Sequence, residues 1–99
     1  MGEFKLVSIK PSTKSGKKFM ATFENKNNKR RSVTHFGATG YSDYTVSKDK
    51  EQRARYRSRH KGDNLTNPRS PGALSWYILW GNSTSRSQNT SAFRSRFGV

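Results

Sequence analysis

The chain has 99 residues, no cysteine, and 20 lysines and arginines against six acidic residues, so its formal net charge is +14. This length suits one small domain, and the lack of cysteine excludes disulfide frameworks and thiolate metal sites. No apolar leader or membrane-spanning run occurs, so we expect a protein that is not secreted and has no membrane partner. The charge favours a polyanionic partner, nucleic acid above all.

Three segments within residues 4–36 have the composition of short β-strands. They are residues 4–10, 17–23 and 30–36, and polar turns separate them. In the second segment Phe19, Ala21 and Phe23 alternate onto one face. The compact turns predict an antiparallel meander whose inner face packs on a helix and whose outer face presents lysine and arginine.

A glycine-containing loop follows at residues 37–45. Its glycines could expose backbone N–H groups to a phosphate, or they could only turn the chain while Tyr41 and Tyr44 fill the edge of the core. We favour the second interpretation. Asp43 is expected to cap a turn.

The segment from Asp49 to Lys61 predicts a surface helix, because its apolar residues are few. Asp49 and Gln52 have the spacing of a capping box, and cations gather at the C-terminal end. Tyr56 is expected to point inward.

Four arginines of this helix fall into two pairs on opposite flanks. Arg53 and Arg57 share one flank, and Arg55 and Arg59 share the other. We expect both pairs to contact phosphates, and we expect the fold to survive the loss of either pair.

The longest apolar run, residues 71–80, contains both tryptophans and predicts the buried helix of the domain. Ser70 is the predicted N-cap, Pro71 suits the first helical position, and Gly81 is expected to close the helix. At least one of Trp76 and Trp80 should be buried.

Residues 82–99 are expected to form a polar tail, a loop to residue 90 and then one or two helical turns anchored by Phe93 and Phe97. The fold class is therefore α+β in one basic domain covering residues 1–99. A three-stranded antiparallel meander (residues 4–36) packs on the buried tryptophan-rich helix, and a basic surface helix accompanies it within residues 49–81.

Catalytic and metal chemistry lack suitable residues in this sequence. His35 and His60 are the two imidazoles, and the six acids form no evident pair. We predict a non-enzymatic protein with no cofactor and no bound metal.

Basic residues interleaved with aromatic residues are typical of nucleic-acid binding, and no base-reading motif is present. We predict sequence-tolerant binding through phosphates, to DNA more than RNA. The alternative is a structural or minor virion protein that binds acidic protein surfaces. The candidate binding residues are Lys17, Lys18, Arg30, Arg31, Arg53, Arg55, Arg57, Arg59, Lys61, Arg94 and Arg96.

Four segments carry a resemblance to a known group of proteins. They are Val33–Gly37, Ser42–Thr45, Arg55–His60 and Ile78–Trp80, in this order. Over residues 33–81 the chain resembles short, basic, uncharacterised proteins encoded by large nucleocytoplasmic DNA viruses of algae and amoebae. Residues 64–68 lack the tryptophan and Asp-Pro of that group, and the polar tail is atypical of it. The resemblance implies a viral origin, a virion or host nuclear or cytoplasmic location, possible capsid partners and no enzymatic activity.

Overall fold

A computed structural model of the chain describes residues 3–99 and has an α+β architecture, as predicted. The helix Pro71–Leu74 continues directly into one π-helical segment, Ser75–Leu79, and we call residues 71–79 the core helix. The elements are β1 (Phe4–Pro11), β2 (Lys17–Asn25), β3 (Arg31–Ala38), α1 (Tyr44–Ser47), α2 (Lys50–His60), α3 (Pro71–Leu74) and α4 (Arg86–Phe97).

The three strands form the predicted antiparallel meander in the order β1-β2-β3. Phe23 lies opposite Leu6 of β1, and Phe19 lies opposite Phe36 of β3. Alternation places these residues on one face with Ala21, and Leu6, Ala21, Phe23 and Phe36 are buried. The pairing register of β1 shifts between Leu6 and Ser8, where a bulge interrupts the strand.

The core helix packs on this face of the sheet. Ser70 caps it, because the Ser70 hydroxyl accepts a hydrogen bond from the Ala73 N–H at 3.1 Å. Leu74, Ile78 and Leu79 are fully buried in the resulting core. Trp80 is only 7% exposed, which confirms the predicted buried tryptophan, whereas Trp76 is half-buried.

The C-terminal end of the core helix differs from the prediction. The Trp80 N–H donates to the Ser75 carbonyl at 3.0 Å, which is the wider π-helical spacing, and Gly81 does not act as a left-handed cap. A Cβ atom at position 81 would collide with the Tyr77 carbonyl oxygen and lie 2.9 Å from Asn89 Oδ1. Glycine is therefore needed here for close packing of the backbone.

The loop after β3 leads into a short helix, α1, which was not predicted. The Asp43 carboxylate accepts a hydrogen bond from the Thr45 N–H at 2.9 Å, so Asp43 is a cap as expected. Tyr44 is buried, but Tyr41 is 75% exposed. The prediction that Tyr41 fills the edge of the core is wrong.

The tail is also more helical than predicted, since α4 begins at Arg86 and residues 86–90 are not a loop. Ser85 caps this helix, and its hydroxyl accepts from the Gln88 N–H at 3.2 Å. Asn89 is buried and donates to the Ile78 carbonyl at 2.9 Å and to the Ser83 carbonyl at 2.7 Å. These tertiary hydrogen bonds compensate for the low helix propensity of a Ser, Thr and Asn tract.

Candidate nucleic-acid interface

Most of the positive charge has no acidic partner. Among residues 3–99, three of the 20 lysines and arginines lie within ion-pair distance of an acid. Lys5 and Arg31 flank Glu24 across the sheet, and a hydrogen bond from Arg31 holds the pKa of Glu24 below its usual value. Lys18 contacts the buried Asp43 at 2.7 Å. The remaining cations leave a strongly positive surface.

The helix α2 carries the densest group of cations. Its N-terminus is capped by Asp49, whose carboxylate accepts from the N–H groups of Glu51 and Gln52 at 2.9 and 3.2 Å. Tyr56 points inward, as predicted, and its ring stacks on Trp80 with 4.4 Å between the centroids. This orientation leaves Arg55 and Arg59 exposed to solvent.

Arg53 and Arg57 do not form a free phosphate-binding flank. Arg53 Nε donates to the Gly81 carbonyl at 2.7 Å and to the Trp80 carbonyl at 3.2 Å. Arg57 Nη1 donates to the same Trp80 carbonyl at 2.8 Å, and its guanidinium lies 4.2 Å from the centre of the Trp76 ring. Burial, and then the neighbouring Arg53, lower the pKa of Arg57. Both arginines thus cap the C-terminal carbonyls of the core helix.

These contacts argue against the expectation that the fold survives the loss of Arg53 and Arg57. The sequence shows their shared flank, but the carbonyls they bind lie more than 20 residues away. The helix-closing function assigned to Gly81 is instead carried out by Arg53, Arg57 and Asn89.

Four further candidate residues also make contacts within the protein. Lys18 and Arg31 form the ion pairs described above. Arg94 Nη1 donates to the Leu6 carbonyl at 2.6 Å and ties α4 to β1. The Arg96 guanidinium lies over the Tyr77 ring at 4.7 Å, although the side chain is exposed.

Five candidates remain without a side-chain ion pair, hydrogen bond or stacking contact with an aromatic ring in the described part of the chain: Lys17, Arg30, Arg55, Arg59 and Lys61. They do not form one patch. Lys17 begins β2, whereas Arg30 lies beyond the other end of that nine-residue strand, about 27 Å away along the sheet. Arg55, Arg59 and Lys61 belong to the α2 surface.

A cavity of about 460 Å³, which we call the α2 cavity, lies between α2, the core helix and the loop after β3. It brings Lys17 and Arg59 together, and its lining includes Tyr41, Gln52, Tyr56 and Trp80. A second cavity of about 430 Å³ is lined by Arg57, Trp76, Tyr77 and Arg96 among others. Basic and aromatic side chains therefore line both cavities together.

Sequence reasoning missed two residues of the α2 cavity, Tyr41 and Gln52. The predicted capping box is only half formed, because the Asp49 N–H donates to the Ser47 hydroxyl at 3.2 Å. Gln52 Oε1 is consequently buried without a hydrogen-bond partner in residues 3–99. Two arginines outside the candidate list also lie over aromatic rings, Arg69 over Phe4 at 3.9 Å and Arg86 over Phe19 at 4.4 Å.

The histidines lie in separate surroundings. His35 Nδ1 is 2.7 Å from the Ser12 hydroxyl, and His60 Nδ1 is 2.9 Å from Asp63 Oδ2. No carboxylate of residues 3–99 hydrogen-bonds to His35, so the Ser12–His35 pair lacks the third member of a catalytic triad. Within the same residues no cluster of three or more His, Asp or Glu side chains could hold a metal ion. The absence of enzymatic activity stays a prediction.

Comparison with known proteins relates the chain to a protein family. A family model described as "Family of unknown function (DUF5754)" covers residues 7–60, which extend from β1 to the end of α2. No curated protein and no solved structure matches the chain. In the described residues, no helix combines the length and apolar character needed to cross a membrane.

Proposed function

We propose a non-enzymatic, nucleic-acid-binding function for this chain, which belongs to the family of unknown function DUF5754. The chain binds the phosphates of nucleic acid with little sequence preference, and it binds DNA more than RNA. Its role in this proposal is to package or organise a viral genome. The observation that carries the proposal is the uncompensated charge. The net charge is +14, and three of the 20 cations pair with an acid among residues 3–99.

The α2 surface is the proposed centre of phosphate contact. Arg55 and Arg59 are exposed and lie one helical turn apart, about 6 Å along the axis. Lys61 adds a third exposed cation at the end of the helix. Arginine suits this surface because its planar guanidinium binds phosphate oxygens in a bidentate manner.

The inward contacts of α2 support the same proposal. Arg53, Tyr56 and Arg57 fix the helix on the core, so the outward arginines sit on a rigid element. A rigid arrangement of cations lowers the entropic cost of binding a polyanion.

The test is the salt dependence of duplex DNA binding by fluorescence anisotropy, between 50 and 200 mM salt. Each lost phosphate contact lowers the log–log salt slope by about one. The Arg55→Ala, Arg59→Ala double variant loses two phosphate contacts. Between 50 and 200 mM salt its DNA affinity should therefore fall by a factor roughly tenfold smaller than the factor by which the wild-type affinity falls. Lys10→Ala with Lys26→Ala is the matched control, because it removes the same charge from exposed sites on β1 and on the turn after β2.

Equal effects of the two double variants would contradict α2 as the contact surface. Affinity for DNA that hardly responds to salt would contradict phosphate binding altogether. Retention of an acidic capsid protein in place of DNA would favour the minor virion protein described above.

A further inference from the structure

We propose that the outward face of α2, meaning its exposed residues from Lys50 to Lys61, enters the major groove of B-form duplex DNA. This inference rests on the nucleic-acid-binding function proposed above and specifies the form of nucleic acid and the groove that it uses. Its basis is the arrangement of this face, in which short side chains lie between two flanks of cations.

The cations of the outward face lie on two flanks. At about 100° of rotation per residue, Lys50 and Lys61 fall on nearly the same side of the helix, about 17 Å apart along its axis. Arg55 and Arg59 fall roughly 120–180° away from them around the helix. All four side chains are exposed, and none forms an ion pair within residues 3–99. A polyanion that meets this face therefore finds cations on both sides of the helix.

Ala54 and Ser58 occupy the front of the face, between the two flanks. Both are exposed, and they lie one helical turn apart, about 6 Å along the axis. Because their side chains are short, the backbone of α2 can come close to a partner while the lysines and arginines extend past it on either side. This convex shape suits a groove with charged walls better than a flat surface.

The dimensions of nucleic acids select the groove. An α-helix with its side chains is roughly 10–12 Å across, whereas the grooves of B-form DNA are about 12 Å (major) and about 6 Å (minor) wide. The 11 residues of α2 extend about 16 Å, so one groove can hold the whole helix. The major groove of A-form RNA is deep and narrow and does not admit side chains. Insertion of α2 therefore gives a physical reason for binding DNA more than RNA.

Glu51 is an acid on the same face, and it repels phosphates. It lies in the first turn of α2, beside the exposed Lys48 and Lys50. From Ala54 to Lys61 the sequence contains no acid. The C-terminal half of the helix is therefore the part that lies deepest in the groove.

The helix α4 supplies a matched comparison. It also has exposed serines, and Ser91 lies near its middle. Its arginines contact other parts of the protein, however: Arg94 binds a backbone carbonyl, and Arg86 and Arg96 lie over aromatic rings. Because α4 offers short side chains without unengaged cations beside them, Ser91→Phe is the control for Ser58→Phe.

The experiment measures binding by anisotropy to four probes: duplex DNA, the same duplex with glucosylated 5-hydroxymethylcytosine, duplex RNA of that sequence, and single-stranded DNA. The glucose groups fill the major groove and add no charge, so they should weaken wild-type binding roughly tenfold. Ser58→Phe should weaken binding to unmodified duplex DNA by a similar factor. Its log–log salt slope should fall by about two, because a helix held out of the groove loses the phosphates of one flank.

The controls isolate the groove from the charge. Ser91→Phe should bind every probe as the wild type does. Ser58→Phe should match the wild type on duplex RNA and on single-stranded DNA, since neither probe admits the helix into a wide groove. Urea unfolding of both variants checks that the fold is intact.

The outcomes separate this inference from the proposed function. Salt-dependent binding to duplex DNA that neither the glucose groups nor Ser58→Phe weakens would overturn groove insertion and leave the proposed function standing. Equal affinity of the wild type for duplex DNA, duplex RNA and single-stranded DNA would do the same. An equal loss in Ser58→Phe and Ser91→Phe would also contradict α2 as the inserted helix. No salt-dependent binding to any probe would overturn both proposals.

Discussion

Replacing Arg53 and Arg57 together by alanine should destabilise the fold, whereas replacing Arg55 and Arg59 should not. Each double variant removes two positive charges from α2, so the comparison cancels the effect of net charge. The difference lies in the partners, since Arg53 and Arg57 cap the Trp80 and Gly81 carbonyls.

The expected magnitude follows from these contacts. A hydrogen bond from a charged donor contributes about 1.5–3 kcal/mol to the free energy of unfolding. The contact of Arg57 with the Trp76 ring adds about 0.5–2 kcal/mol. The two arginines share the Trp80 carbonyl, so their losses do not add fully, and we expect about 3–5 kcal/mol in total. Relief of repulsion between them returns only about 0.2–0.5 kcal/mol.

Urea unfolding followed by tryptophan fluorescence measures this difference. The Arg55→Ala and Arg59→Ala control should stay within about 0.5 kcal/mol of the wild type, because both side chains are exposed. A loss of 3 kcal/mol corresponds to a fall in Tm of roughly 12–24 °C for a domain of this size. Equal stability of the two double variants would refute the assignment of Arg53 and Arg57 as caps of the core helix.

Three further predictions concern stability. Gly81→Ala should cost about 1–3 kcal/mol in urea unfolding, because the new methyl group meets the Tyr77 carbonyl and Asn89; an unchanged midpoint would contradict this close packing. Trp80→Ala should lower the free energy of unfolding by about 3–5 kcal/mol, and Trp76→Ala should lower it clearly less. The reverse order would contradict the placement of Trp80 in the core. Burial, with a smaller effect of Asp63, raises the pKa of Tyr56 from 10 to about 12. The folded state therefore holds the phenol proton more tightly, so stability is full below pH 10 and falls between about pH 10 and 12. In a plot of the urea-unfolding midpoint against pH, Tyr56→Phe should reduce the fall in this pH range. If the variant shows the same fall as the wild type, Tyr56 is not its source.

Local patterns were sufficient to predict the sheet, the two central helices and their N-caps. The alternation of Phe19, Ala21 and Phe23 defines the buried face of β2 without reference to the rest of the chain. The Asp49 and Ser70 caps depend on N–H groups within three residues. Such short-range determinants are visible in a single sequence.

The features that were missed depend on distant partners. Ser87, Asn89 and Thr90 are weak helix formers, and Asn89 is held by carbonyls of a preceding segment. The two arginine pairs of α2 look equivalent on either flank of Tyr56. Which pair turns inward is decided by the carbonyls of Trp80 and Gly81. The α2 cavity depends on the same long-range packing, so its residues Tyr41 and Gln52 gave no local signal.

The attachment of α4 to β1 closes a strand edge that could otherwise pair with another molecule. β1 is an edge strand of the sheet, and the register shift near Leu6 already interrupts it. The Leu6 N–H donates to the Val99 carbonyl at 3.1 Å, and the Leu6 carbonyl accepts from Arg94. Both backbone groups of Leu6 are thus occupied within the chain, and a second sheet cannot extend β1 there. If the proposed function holds, copies of the chain would be concentrated along one polyanion, and the occupied Leu6 groups would oppose edge-to-edge pairing of their β1 strands at this position.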